Sequence, residues 1–249
     1  MGVLSLSRLA GALVVGWSMA AAMAPARAAE VLVPPGWVRA GSAVAPATRP
    51  TWEALLFAQL EEGDRGWLPR QQRLPDGRIR YVYKRRIGDP LLSPQQLEAL
   101  LRDPPRYERE RRTIAILLAQ LRHLGVTLTL QAPRQPSASG EWNPRTATVR
   151  IRADVPSGGS RLFALVLNHE AIHVAQSCQG GGVRLPPVPL GLPRSLGPQE
   201  RKLLADPAYR QASPRVLHLE QEAFANQANL ALGPSLLSSR CGAPARLAP

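Results

Sequence analysis

The stretch Arg161–Gln179 reads RLFALVLNHEAIHVAQSCQ, and the reading of the whole chain turns on it. Leu162, Leu165, Val166, His169, Ile172 and His173 recur at helical spacing and form one broad stripe suited to a core. Residues four apart on an α-helix stand one above the other. His169 and His173 can therefore present two imidazoles to one metal ion, at about 2.0–2.1 Å each for zinc. Glu170 follows the first histidine by about 100° of helix rotation, so its longer side chain can reach a metal-bound water without ligating the metal. Unpartnered polar groups in an apolar setting cost about 1–3 kcal/mol each, so this trio needs partners. A metal supplies them; a pair of hydrogen-bonded core histidines is the plainer alternative.

Catalytic zinc keeps three protein ligands and one open position, so a third ligand is needed. Ser213-Pro214 opens a later helix, PRVLHLEQEAFANQANLAL, with Gly233-Pro234 as its expected end. Glu220 and Glu222 lie about 200° apart on that helix, so only one of them can face the metal. Glu222 shares core-facing spacing with Leu219, Ala223, Asn226 and Leu230, and is the expected ligand. Glu220, on a face with Val216, Ala223 and Gln227, is its rival, and a solvated charged face is the alternative for both.

The segments His169-Glu170-Ala171-Ile172-His173 and Glu222-Ala223-Phe224-Ala225-Asn226 resemble the ligand segments of gluzincins. These are zinc metallopeptidases in which a glutamate on a downstream helix completes the site. The E-x-x-A-N form is similar to that of ImmA/IrrE-type minimal gluzincins. The resemblance covers residues 162–179 and 217–232, a small part of the chain. It implies an α+β fold: a mostly helical zincin-like domain with a small antiparallel sheet before the motif helix. It also implies Zn2+ on His169, His173 and Glu222, Glu170 as general base, and Asn226 as brace for a ligating histidine. The strand Thr146–Arg152 would be the edge to which a peptide or protein substrate adds. Tyr209, His218 or an arginine could donate to the oxyanion. The other function compatible with the resemblance is a catalytically inactive zincin-like module that binds an anionic surface or a protein partner.

Outward from the motif, the elements can be placed in order. Trp52–Leu60 has helical spacing, with a turn signal at Glu62-Gly63-Asp64, and Arg78–Ile87 alternates as a strand after Pro75-Asp76-Gly77. Ser93-Pro94 starts a short helix, and a second runs from about Arg106 to His123 with Gly125 after it. Val126–Gln131 and Thr146–Arg152 read as strands with a polar loop between them. Residues 180–198, rich in Gly and Pro, form a crossover or lid without regular structure.

Met1–Ala28 combines Arg8, an apolar run and Ala26-Arg27-Ala28, which reads as a signal peptide cleaved near Ala28 and hence an exported protein. Residues 29–50 are a Pro/Ala-rich leader, and 51–249 form the domain. Cys178 and Cys241 fit an oxidising compartment, and a disulfide between them would pin the C-terminal tail to the motif helix. Two free thiols, or a metal-ligating Cys178, are the alternatives. The formal charge of +13 allows attraction to an anionic surface. With 5% aromatic residues and no nucleic-acid motif, no nucleic acid is expected as a partner.

Overall fold

Helix α4, Gly159–Gln179, is the element the others pack around, and in the computed structural model its middle is buried on every side. From Phe163 to Ser177 only Leu165 escapes full burial. The expected single stripe is thus a helix wrapped all round by α1 (Trp52–Arg65), α3 (Glu108–His123), α6 (Pro214–Asn226) and α7 (Leu232–Cys241). The structure describes residues 51–243 except 87, 88, 136, 207, 208 and 211. The signal peptide and leader read in residues 1–50 lie outside the described residues.

The N-terminus of α4 is held by a side chain from far away in the chain. Asp64, in the last turn of α1, accepts from the Ser160 backbone N–H (2.7 Å), the Ser160 hydroxyl (2.6 Å) and the Arg111 guanidinium (3.0 Å). These bonds satisfy donors that a helix start leaves open. Glu62-Gly63-Asp64 is accordingly helix and not the expected turn. Gly63 is required there because a Cβ would stand 2.6 Å from the Gly159 nitrogen.

The sheet before α4 is mixed, which corrects the antiparallel expectation. β3 (Thr127–Leu130) pairs in parallel with β5 (Thr148–Ile151), and β4 (Gly140–Asn143) pairs antiparallel with β5, giving the order β3-β5-β4. β5 is therefore central and has no free edge, so it cannot be the substrate-binding edge strand. The edge facing α4 belongs to β4, which hid in a polar loop: its sequence, GEWN, carries no alternation of apolar residues. Partners bury it. Trp142 donates from its indole to Ser177 on α4 (2.8 Å), while Glu141 accepts from the Arg134 backbone N–H (2.8 Å) and pairs with Arg150 (3.4 Å).

A separate hairpin, β1 (Arg70–Arg73) with β2 (Ile79–Val82), and the short α2 (Pro94–Arg102) lie upstream. Residues 180–197 have no regular structure and lead to α5 (Pro198–Leu204). The expected long C-terminal helix is two helices. α6 stops at Asn226, and Gly233-Pro234 lies in the first turn of α7, where proline is tolerated. The break is fixed by Asn168 of α4. Its amide donates to Gln227 O (2.8 Å) and Asn229 O (3.1 Å), and its oxygen accepts from the Gly233 N–H (3.0 Å). Cys178 and Cys241 form a disulfide that ties the end of α7 to the end of α4. No helix among the described residues is long and apolar enough to cross a membrane.

Candidate metal centre

One helical turn of α4 stacks His169 and His173, and α6 crosses it with Glu220 turned toward them. The two Nε2 atoms are 2.8 Å apart, with Glu220 Oε2 3.7 Å from His169 Nε2 and Glu220 Oε1 3.5 Å from His173 Nε2. All three side chains are fully buried. Three ligands held at about 2.0–2.1 Å in tetrahedral geometry stand roughly 3.3 Å from one another. The two His–Glu separations are near that value, and the imidazole pair would need to part by about half an ångström.

The hydrogen bonds behind the imidazoles fix which nitrogens face the centre. Gln176 donates its amide to Leu219 O (3.1 Å) and Glu222 Oε2 (3.0 Å), so its oxygen must face His173 Nδ1, 2.7 Å away, and accept a hydrogen bond from it. His169 Nδ1 has the Gln227 side-chain oxygen at 3.1 Å in the same way. With both Nδ1 atoms protonated, both Nε2 lone pairs point at each other and at a carboxylate. Two lone pairs at 2.8 Å repel unless a cation or a proton lies between them. In addition, Glu220 Oε1 and both Glu170 oxygens are buried without a hydrogen-bond partner. The donor set of two imidazoles and one carboxylate, each with its lone pairs turned inward, fits a zinc ion.

Titration follows from the same geometry. Burial strongly disfavours the charged form of His169, and with the neighbouring His173 holds its pKa well below the usual histidine value. His173 goes the other way. Burial pulls its pKa down, but the Glu220 carboxylate 3.5 Å away, with Glu170 and Gln176, raises it to about 9. Glu170 is raised to about 8, chiefly by burial and further by Glu220 and Glu141, against the pull of His173 and the approaching Trp142 N–H. Burial and Glu220 also raise Tyr209 well above the usual tyrosine value.

The structure brings His169, Glu170 and His173 together as the sequence predicts, and replaces Glu222 by Glu220. Glu222 points away from the imidazoles to the crossover, where it accepts from the backbone N–H groups of Leu190 (2.8 Å), Gly191 (2.8 Å) and Leu192 (3.1 Å). It is fully buried, so the core-facing stripe was real, but its partner is backbone. Asn226 donates to Pro193 O (2.7 Å) and Glu222 O (2.7 Å) and braces no histidine. That role falls to Gln176 and Gln227, which the sequence reading passed over. Gln176 stands three residues after His173 and so on the same helix face, the one signal that could have found it.

Of the oxyanion candidates, Tyr209 is at the centre: its hydroxyl donates to Glu220 Oε2 (3.3 Å) and its ring packs on Phe224. His218 is not, lying half out of the surface with Nε2 3.6 Å from Glu222 Oε1. Together, His169, His173 and Glu220 form a buried metal-ligand triad, with Glu170 beside it, consistent with an HExxH-type zincin site. Neither a protein-family profile, nor a curated protein, nor a solved structure matches the chain.

Proposed function

We propose that the protein is an exported, zinc-dependent metallopeptidase that hydrolyses peptide bonds, with the metal on His169, His173 and Glu220. The observation that carries this reading is the convergence of two Nε2 lone pairs and a carboxylate beside a partnerless buried glutamate. When bound, zinc supplies Lewis acidity and lowers the pKa of a water it holds.

The side chains around it support hydrolysis. Glu170 sits beside the site without belonging to it and without a hydrogen-bond partner, which supports it as the group that takes a proton and returns it to a leaving amine. Tyr209 keeps its hydroxyl proton far above neutrality and reaches the centre at Glu220 Oε2, which supports it as the donor to a developing oxyanion once that bond is given up. β4, the outer strand on that side of the sheet, lies against Glu170: a Cβ on Gly140 would stand 2.3 Å from Glu170 Oε1. A peptide added to β4 as a further antiparallel strand would lay its backbone past that carboxyl, the role the resemblance had given to residues 146–152. Export rests on the N-terminal pattern and agrees with the disulfide.

Full burial of the centre favours a second reading, a catalytically inactive zincin-like module that binds an anionic surface or a protein partner. Metal analysis of the purified protein and a peptide-library assay separate the two. The peptidase carries stoichiometric zinc and cleaves; Glu170→Gln keeps the zinc and stops cleavage. A wild-type protein with zinc and no cleavage of any peptide is the binding module.

A further inference from the structure

Residues 180–197 cross from α4 to α5 without regular structure, yet they are anchored at several points. Val188 N–H donates to Gln176 O (3.0 Å), Arg215 to Pro187 O (2.8 Å) and Asn226 to Pro193 O (2.7 Å). The strongest anchor is Glu222. Its carboxylate takes consecutive backbone N–H groups of Leu190, Gly191 and Leu192, while Gln176 donates to the same carboxylate at 3.0 Å and His218 approaches it at 3.6 Å. Charged acceptors make such bonds roughly twice as strong as neutral ones. The other end of the Gln176 side chain accepts from His173 Nδ1 at 2.7 Å. An unbroken chain of hydrogen bonds thus runs from the crossover backbone through Glu222 and Gln176 to one of the three metal-ligating groups.

We propose that Glu222 is a positioning residue, a latch that joins the 190–192 crossover to the metal centre by holding Gln176 against His173. The proposal rests on the metal-centre reading above. With the crossover docked, Glu222 fixes the Gln176 amide, the amide oxygen fixes the Nδ1–H form of His173, and Nε2 is left for the metal. With the crossover lifted, Glu222 loses its backbone donors, Gln176 is free to turn, and His173 loses its orientation. Groups that orient a ligating histidine typically carry about 10–100-fold in metal affinity. Coupling of this kind is reciprocal, so metal must in turn hold the crossover down.

Two measurements on the intact mature protein test this. The first is zinc affinity by competition with a chromophoric chelator, for wild type, Glu222→Gln and Gly191→Ala. Gly191 has φ +77° and open space around its Cβ position, so alanine there strains the crossover backbone without touching the centre. The second is amide hydrogen exchange at residues 190–192, with and without zinc, against the β1–β2 hairpin as reference. The latch predicts about tenfold weaker zinc binding in both variants, no further loss in the double variant, and slower exchange at 190–192 on zinc loading. Faster exchange at 190–192 in Gly191→Ala with unchanged zinc affinity overturns it, as does zinc loading that leaves those amides exchanging as before. If Glu222→Gln does not fold, Gly191→Ala and the wild-type exchange decide. A wild-type protein that binds no zinc sinks the metal-centre reading instead, an outcome distinct from failure of the latch alone.

Discussion

At Glu170 and Glu220 two buried carboxylates stand near one imidazole pair and are set apart by what they touch. Glu220 lies within 3.5–3.7 Å of both Nε2 atoms, whereas Glu170 has no hydrogen-bond partner. Their isosteric substitutions should therefore separate cleanly. Glu170→Gln is expected to lower the rate of hydrolysis by about 10²–10⁴-fold with zinc content unchanged. Glu220→Gln is expected to lower zinc affinity by more than the ~10–100-fold carried by groups behind a ligand, read by chelator competition. Equal zinc affinity in wild type and Glu220→Gln would return the ligand role to another residue. The metal-free protein also has a pH signature. The folded pKa of His173, about 9, is above the unfolded value, so its stabilisation is complete below about pH 6.5 and lost as pH rises through 9. Glu170, also raised, loses stability in the same direction as pH passes through 8. His169 is lowered and acts only below its ordinary value, outside this window. The melting temperature of the metal-free protein should therefore fall between pH 6.5 and 9; a rise over that range would contradict the coupled His173–Glu220 pair.

At the scale of elements, the sequence was legible wherever periodicity was strong and local. The motif helix, the helix ending at His123 and the strands near 127–130 and 148–151 all follow from spacing and punctuation. What could not be read depended on a distant partner. β4 is a strand because Ser177 takes the Trp142 indole and Arg134 and Arg150 take the Glu141 carboxylate, and α6 ends at Asn226 because Asn168 caps the turn that follows. The choice between Glu220 and Glu222 had the same character. Both are buried, and spacing could not tell a carboxylate that meets imidazoles from one that meets the crossover backbone. The α6–α7 turn gives a sharp test. A Cβ at Gly233 would stand 2.2 Å from Asn168 Oδ1 and 3.3 Å from the Ala171 Cβ. Gly233→Ala must displace Asn168 from the bonds that hold Gln227, and Gln227 sits behind His169. Leaving one buried amide group unsatisfied costs about 1–3 kcal/mol, so a loss of that order is expected in denaturant unfolding. Stability within 0.5 kcal/mol of wild type, the range of about ±0.5 kcal/mol typical of neutral surface changes, would remove Asn168 as the organiser of this turn.

For the molecule as a whole, the disulfide decides how the two halves of the centre stay together. The histidines lie on α4 and Glu220 on α6, and everything between Cys178 and Cys241, including the crossover and α6, belongs to one closed loop with a sequence separation of 63. Closing a loop of that length in the unfolded chain is worth about 4 kcal/mol by the chain-entropy relation. Total stability for a domain is only about 5–15 kcal/mol, so this one bond is a large share of it. The bond joins the C-terminal ends of α4 and α7, and α7 packs along both α4 and α3. Opening it should therefore loosen α7 first, and with it the Gly233 turn that Asn168 holds beside Gln227. Reduction, or Cys241→Ser, is expected to lower stability by about 4 kcal/mol in denaturant unfolding. Zinc should restore part of the loss, because a ligand that binds only the folded chain stabilises it by mass action. Zinc that stabilises the oxidised protein but not the reduced one would instead mean that the centre cannot assemble without the bond. Only the second result ties the disulfide to the assembly of the centre; a reduced protein as stable as the oxidised one would show that the bond does not hold the fold together.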